Sequence, residues 1–147
     1  MKSFEISISC LAWGRSEEKE VFDILNKNNI NLIDIVPNKY FESCFDLNLV
    51  RVKELKNYFK KNNISPHGMQ SLFYEIKDLN LFKNGDERKQ ITKYFKNICI
   101  IADLLDIRKL VFGSPKTRYK LKNNDSSKDL EIEFFSNLGK IAYKYNV

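Results

Sequence analysis

The sequence predicts an α/β fold built from four successive parallel βα units. Three observations carry this expectation. Short apolar runs alternate with longer amphipathic stretches along the whole chain, the long stretches carry apolar residues at helical spacing, and no tight-hairpin signature separates the runs. Strands connected through helices lie parallel, with right-handed crossovers.

The first strand is expected within residues 4–10, where Phe4, Ile6 and Ile8 alternate with polar residues. Ser16 precedes Glu17, Glu18 and Glu20, acids that favour a helix N-terminus, and Val21, Phe22 and Leu25 give that helix its apolar face until Asn28 and Asn29 end it. A second strand spans residues 32–36 and stops at Pro37. The next helix runs over 49–61, burying Val52, Leu55, Tyr58 and Phe59. A third strand covers 64–69 despite Pro66, an unusual residue for a central strand. Residues 73–85 form a long connection. Asp86 opens the longest helix, with Ile91, Phe95, Ile98, Ala102 and Leu105 on its core face. A fourth strand spans 110–113, followed by a basic loop over 114–124. Ser126 and Asp129 begin a last helix carrying Leu130, Phe134, Leu138, Ile141 and Tyr145, and Asn146-Val147 resembles the start of a fifth strand.

An open doubly wound sheet would place several glycines in the first βα turn, whereas Cys10-Leu11-Ala12-Trp13-Gly14 has one. A closed (β/α)8 barrel needs eight units and about 250 residues. Four units in 147 residues therefore read as half of such a barrel, its N-terminal half. No Pro/Gly/Ser-rich linker divides the chain, so residues 1–147 are expected to be one domain, a partial barrel ending near the start of the fifth strand.

Composition narrows the function classes. The longest apolar run, 98–102, is far short of the roughly 20 residues of a membrane helix, and the first residues carry no secretory signal pattern. Cys10, Cys44 and Cys99 are odd in number without short spacing, the pattern of reduced thiols in a cytoplasmic protein. The net charge of +6 comes from 20 Lys and only 5 Arg, scattered rather than clustered, so nucleic acid is not the expected partner.

In parallel βα folds the site forms where strands end and βα loops begin. Those loops hold Trp13; Lys39; Gln70 and Ser71; and Ser114, Lys116 and Arg118. These are the candidate substrate-binding residues. Lys39, Lys116 and Arg118 are expected to converge as cations at one end of the sheet, a mouth suited to a phosphorylated or carboxylated small molecule. Strand parity turns His67 away from Gln70 and towards the helices. Asp34, in mid-strand, reads as a hydrogen-bond acceptor, and Cys10 has no neighbouring histidine to make it a nucleophile.

The segments Ser9-Cys10-Leu11-Ala12-Trp13, Ile35-Val36-Pro37-Asn38-Lys39, Met69-Gln70-Ser71-Leu72-Phe73 and Phe112-Gly113-Ser114-Pro115-Lys116-Thr117-Arg118 resemble the sugar phosphate isomerase/epimerase family, built on the xylose isomerase-like TIM barrel. The resemblance implies carbohydrate metabolism. It also implies a divalent metal held by carboxylates and a histidine, with metal-assisted proton transfer beside a sugar carbonyl. In such barrels the first metal-binding glutamate ends the fifth strand, so the ligands are expected beyond Val147. The loops here offer isolated carboxylates, Glu42 and Glu75, and no catalytic residue is assigned. The expected substrate is a small phosphorylated or acidic sugar. An alternative is a truncated, non-catalytic half-barrel that serves as a binding or partner-pairing module. Half a barrel leaves edges and apolar faces open, relieved by a homodimer or by a C-terminal half. An endonuclease IV-type nuclease needs several histidines around zinc, and this chain has one.

Overall fold

A computed structural model describes residues 5–74, 76, 79–120 and 127–147. Phe4, Glu75, Ser126 and part of the basic loop, 121–124, lie outside the described residues.

The elements follow in the order β1 (Ser7–Ser9), α1 (Glu18–Lys27), β2 (Leu32–Ile35), a short α2 (Pro37–Tyr40), α3 (Leu49–Lys61), β3 (Ser65–Met69), α4 (Gly85–Leu104) and α5 (Ser127–Lys144). The three strands form one sheet in the order β1-β2-β3, all parallel. Ile8 pairs with Ile33 and Ser9 with Asp34, which sorts the residues by face. Ile33, Ile35 and Met69 are buried under the helices, while Ser9, Asp34 and Gly68 belong to the opposite, inner face.

The fourth run continues the sheet only briefly. Leu110 forms a parallel bridge with Met69: Met69 N–H donates to Lys109 O at 2.9 Å and Val111 N–H to Met69 O at 2.8 Å. The expected strand over 110–113 is thus cut to a single rung. Gly113 turns the chain away at φ +44°, in the left-handed region where glycine carries no Cβ penalty.

The helices form where capping and periodicity place them. Asn48 Oδ1 accepts from Arg51 N at 3.0 Å at the start of α3, and Asn84 Oδ1 from Glu87 N at 2.9 Å at the start of α4. Phe22 and Leu25 of α1, Val52, Leu55 and Phe59 of α3, and Ile91, Ile98 and Ala102 of α4 bury against the sheet. Tyr58 departs from its expected burial and is 37% exposed. On α5, Phe134 and Leu138 are buried, whereas Leu130, Ile141 and Tyr145 are half-buried.

One device closes all four units. Asn29, Asn63, Asp106 and Asn146 adopt positive φ just after α1, α3, α4 and α5. The next residue, always β-branched, donates back into the last turn: Ile30 N–H to Leu25 O (2.9 Å), Ile64 to Phe59 (3.0 Å), Ile107 to Ala102 (2.8 Å) and Val147 to Ala142 (3.1 Å). Each is a Schellman stop, which satisfies carbonyls orphaned at a helix end. Asn146-Val147 therefore forms the turn that precedes a strand in the other units.

β3 bulges at His67. Pro66 pairs with Ile33 and Gly68 with Asp34, so His67 is the extra residue. The bulge breaks the alternation on which the outward placement of His67 rests, and its Nε2 lies 2.7 Å from Lys109 Nζ.

Candidate functional site

The C-terminal ends of the strands carry two hollows. The larger, about 740 Å³, lies between the segment after β3 and residues 113–117. Ser71, Phe73 and Tyr74 form one wall, and Ser114, Lys116 and Thr117 the other. Ser71 holds a positive φ of 50°, uncommon for a non-glycine residue. Ser114 is nearly buried, its Oγ donating to Phe112 O at 2.7 Å.

Asn80 and Lys83, from the connection read in the sequence only as a long link, complete the lining. Asn80 Nδ2 donates to Tyr119 O at 2.8 Å, and Leu81 N–H donates to Thr117 O at 3.0 Å, so this segment braces the opposite loop. Glu87 anchors it from α4, accepting Asn80 N–H at 2.8 Å and pairing with Lys83 Nζ at 2.7 Å. The Lys83 contact, then the Asn80 amide, holds the Glu87 carboxyl below its ordinary pKa. The capping residue Asn84 with Glu87 three positions on was the available sequence signal for this anchor.

The smaller hollow, about 240 Å³, is bordered by Trp13, Asn38 and Lys39; Tyr74 lines both. Lys39 is turned inward. Its Nζ donates to Cys10 O at 2.5 Å and Trp13 O at 2.7 Å, and lies 4.6 Å from the centre of the Trp13 ring. Beneath it Glu18, 7% exposed, accepts from Tyr40 OH at 2.7 Å and Trp13 Nε1 at 3.3 Å, with Lys39 Nζ at 3.9 Å. Burial is the main force lowering the Lys39 pKa, and burial first, then the Glu18 hydrogen bond, raises that of Tyr40 far above its ordinary value. In the sequence Glu18 stands only as one of the acids at a helix start, because nothing local announces that Tyr40, from the next βα loop, closes over it.

The candidate residues therefore separate. Ser71, Ser114 and Lys116 share the larger hollow; Trp13 and Lys39 share the smaller one, where Lys39 is engaged with carbonyls instead of converging with the other cations. Gln70 lines neither hollow; its Nε2 donates to Ser9 Oγ on the inner face. Arg118 is outside the lining of either hollow.

Among the described residues no group of three or more His, Cys, Asp or Glu side chains is placed to hold a metal ion. Asp34 is the one carboxylate on β1–β3, and it lies over Gly68, close to where a Cβ would stand. A hard divalent cation takes several oxygen ligands, so the described residues do not fit one. No described helix is long and apolar enough to cross a membrane.

No protein-family model matches the chain, and no curated protein does. Solved structures do. A D-tagatose 3-epimerase-like protein superposes with a TM-score of 0.70 at 18% identity, over 98% of this chain and 51% of its own. A sugar phosphate isomerase/epimerase from Parabacteroides distasonis gives 0.66 at 12% identity, over 100% and 50%. A D-psicose 3-epimerase from Clostridium cellulolyticum H10, crystallised with D-tagatose, gives 0.65 at 17%, over 98% and 50%. The chain thus spans about half the length of the solved chains it matches. It has the fold of half of a sugar isomerase/epimerase-type (β/α)8 barrel.

Proposed function

We propose that this chain is the sugar-holding half of an isomerase/epimerase-type barrel whose substrate is a small phosphorylated or acidic sugar. The observation that carries the reading is the larger hollow, where two serine side chains, an aromatic wall and lysines meet at the C-terminal strand ends. Each part suits a part of such a ligand. Ser71 and Ser114 offer hydroxyls to a polyol, Phe73 and Tyr74 offer a face to its C–H groups, and Lys116 offers charge to a phosphate or carboxylate. Asn80 and Glu87 hold the connecting segment in place around it.

The reaction of the complete barrel would move a proton beside a sugar carbonyl. This half is assigned binding and orientation only. Metal assistance, implied by the resemblance, enters no step here because the described residues do not fit a metal. Three free, buried cysteines suit a reducing, cytoplasmic setting.

Calorimetry with fructose 6-phosphate and fructose tests the reading. The phosphorylated sugar is expected to bind more tightly, and Lys116→Ala to weaken it about tenfold, as expected for loss of one charge-assisted hydrogen bond. Equal affinity for both sugars, or no binding of either, would overturn it.

A further inference from the structure

We infer that two copies of this chain close on each other into one eight-stranded barrel, with the residues leading into β1 of each copy seated in an apolar groove beside α5 of the other. Among the described residues β1 pairs only with β2, and the run at Leu110 only with β3, so both edges of the sheet are open. A two-fold axis along the barrel axis sets each β1 edge parallel to the partner's 110–112 edge. Two equivalent seams form at once, and three strands plus the 110–112 run from each copy give the closed count.

The two edges are complementary in shape. A groove of about 450 Å³ runs between 110–112 and α5, lined by Leu110, Phe112, Phe135, Leu138, Gly139 and Ala142. A Cβ built on Gly139 would meet nothing within 4 Å. At the other edge Ile8 shares the helix-side face with Ile33, and Ile6, two residues earlier, is 57% exposed. Ile6 and Ile8 therefore project where a neighbouring groove would lie.

Charge agrees. Glu5 adjoins Ile6, while Arg108 and Lys109 border the groove, so a parallel seam brings unlike charges together. The surface area agrees as well. Compact monomers of 17.4 kDa expose roughly 7,900 Å², against 9780 Å² here, a surplus of roughly 1,900 Å². A standard interface takes about 800 Å² from each partner. The surplus exceeds that figure.

Light scattering coupled to gel filtration, without ligand and over a micromolar range, reads the mass directly. The expected value is twice the 17.4 kDa of one chain. Ile6→Glu and Gly139→Leu should each shift the mass to that of one chain, and Val50→Glu, on the outer face of α3 at a 66% exposed position, should leave the dimer intact. Ile6 and Gly139 are exposed, so neither substitution removes a core contact. Mixing the two monomeric variants rebuilds one seam of two and should restore part of the dimer. A monomeric wild type, or a dimer indifferent to both variants, overturns the inference. The test contains no sugar, so its failure is separate from failure of the binding reading.

Discussion

Replacing Glu18 by alanine removes the acceptor at the centre of the first two βα loops. Three groups lose their partner: Tyr40 OH at 2.7 Å, Trp13 Nε1 at 3.3 Å and the Lys39 ammonium at 3.9 Å. A hydrogen bond to a charged group is worth about 1.5–3 kcal/mol, and stranding a buried donor adds its desolvation cost. Breaking a buried ion pair on one side costs about 3–5 kcal/mol, but Lys39 keeps the Cys10 and Trp13 carbonyls, so the lower end applies. These terms overlap, because the same oxygen serves all three groups. The expected loss is about 3 kcal/mol for Glu18→Ala and about 1 kcal/mol for Glu18→Gln, whose amide oxygen still accepts from Tyr40. Against a total stability of about 5–15 kcal/mol, the alanine variant loses a large fraction. With a slope of about 2 kcal/mol/M, its urea midpoint falls by about 1.5 M. Trp13, the only tryptophan and 8% exposed, reports the transition by fluorescence, with circular dichroism as the second probe. A Glu18→Ala midpoint close to that of the wild type would refute the hub, and with it the structural assignment of Lys39.

Two further outcomes follow from the core and the inner face. Burial pushes the Cys44 thiol up to about 11 and Cys99 to about 12, from 9.0. An acid raised on folding contributes stability that is whole below 9.0 and is lost as pH climbs towards the folded value. At about pH 10 each thiol therefore costs about 1.4 kcal/mol relative to neutrality. Lys39, lowered by burial, acts the other way as pH approaches 10.5. Denaturation at both pH values should show Cys99→Ala losing about 1.4 kcal/mol less than the wild type, and an equal loss would contradict the burial argument. Gly68→Ala places a Cβ against the Asp34 carboxylate, at an overpacking cost of about 1–3 kcal/mol, or a drop of about 2–12 °C in Tm at about 2–4 °C per kcal/mol for a chain of this size. Asp34→Ala in the same chain should restore most of it; failure to do so would show that the strain lies elsewhere.

Local chemistry made most of the fold legible in the sequence. The helix over 49–61 matches α3 residue for residue, because Asn48 caps it and the apolar spacing fixes its buried face. Asn28-Asn29 ends α1 because an asparagine tolerates positive φ, and the same signal recurs at Asn63, Asp106 and Asn146. What failed depended on neighbours distant in sequence. The fourth strand shrinks to one rung, Met69 with Leu110, before Gly113 turns the chain away. The parity that turns His67 towards the helices is broken by a bulge that depends on how β3 registers against β2. Lys39 looked like a mouth cation because its loop position is right, yet the carbonyls of Cys10 and Trp13 and the carboxylate of Glu18 draw it inward. Ser71, Ser114 and Lys116 line the larger hollow together, whereas Arg118, from the same loop as Lys116, lines neither hollow.

The most direct test of the sugar-holding site is an amide ¹H–¹⁵N correlation spectrum recorded while fructose 6-phosphate is added. The account predicts saturable shifts concentrated at Ser71, Tyr74, Asn80, Gly113, Lys116 and Thr117, around the larger hollow. Saturable shifts confined to the helices, or none at ligand concentrations well above those of ordinary sugar-phosphate binding, would contradict it.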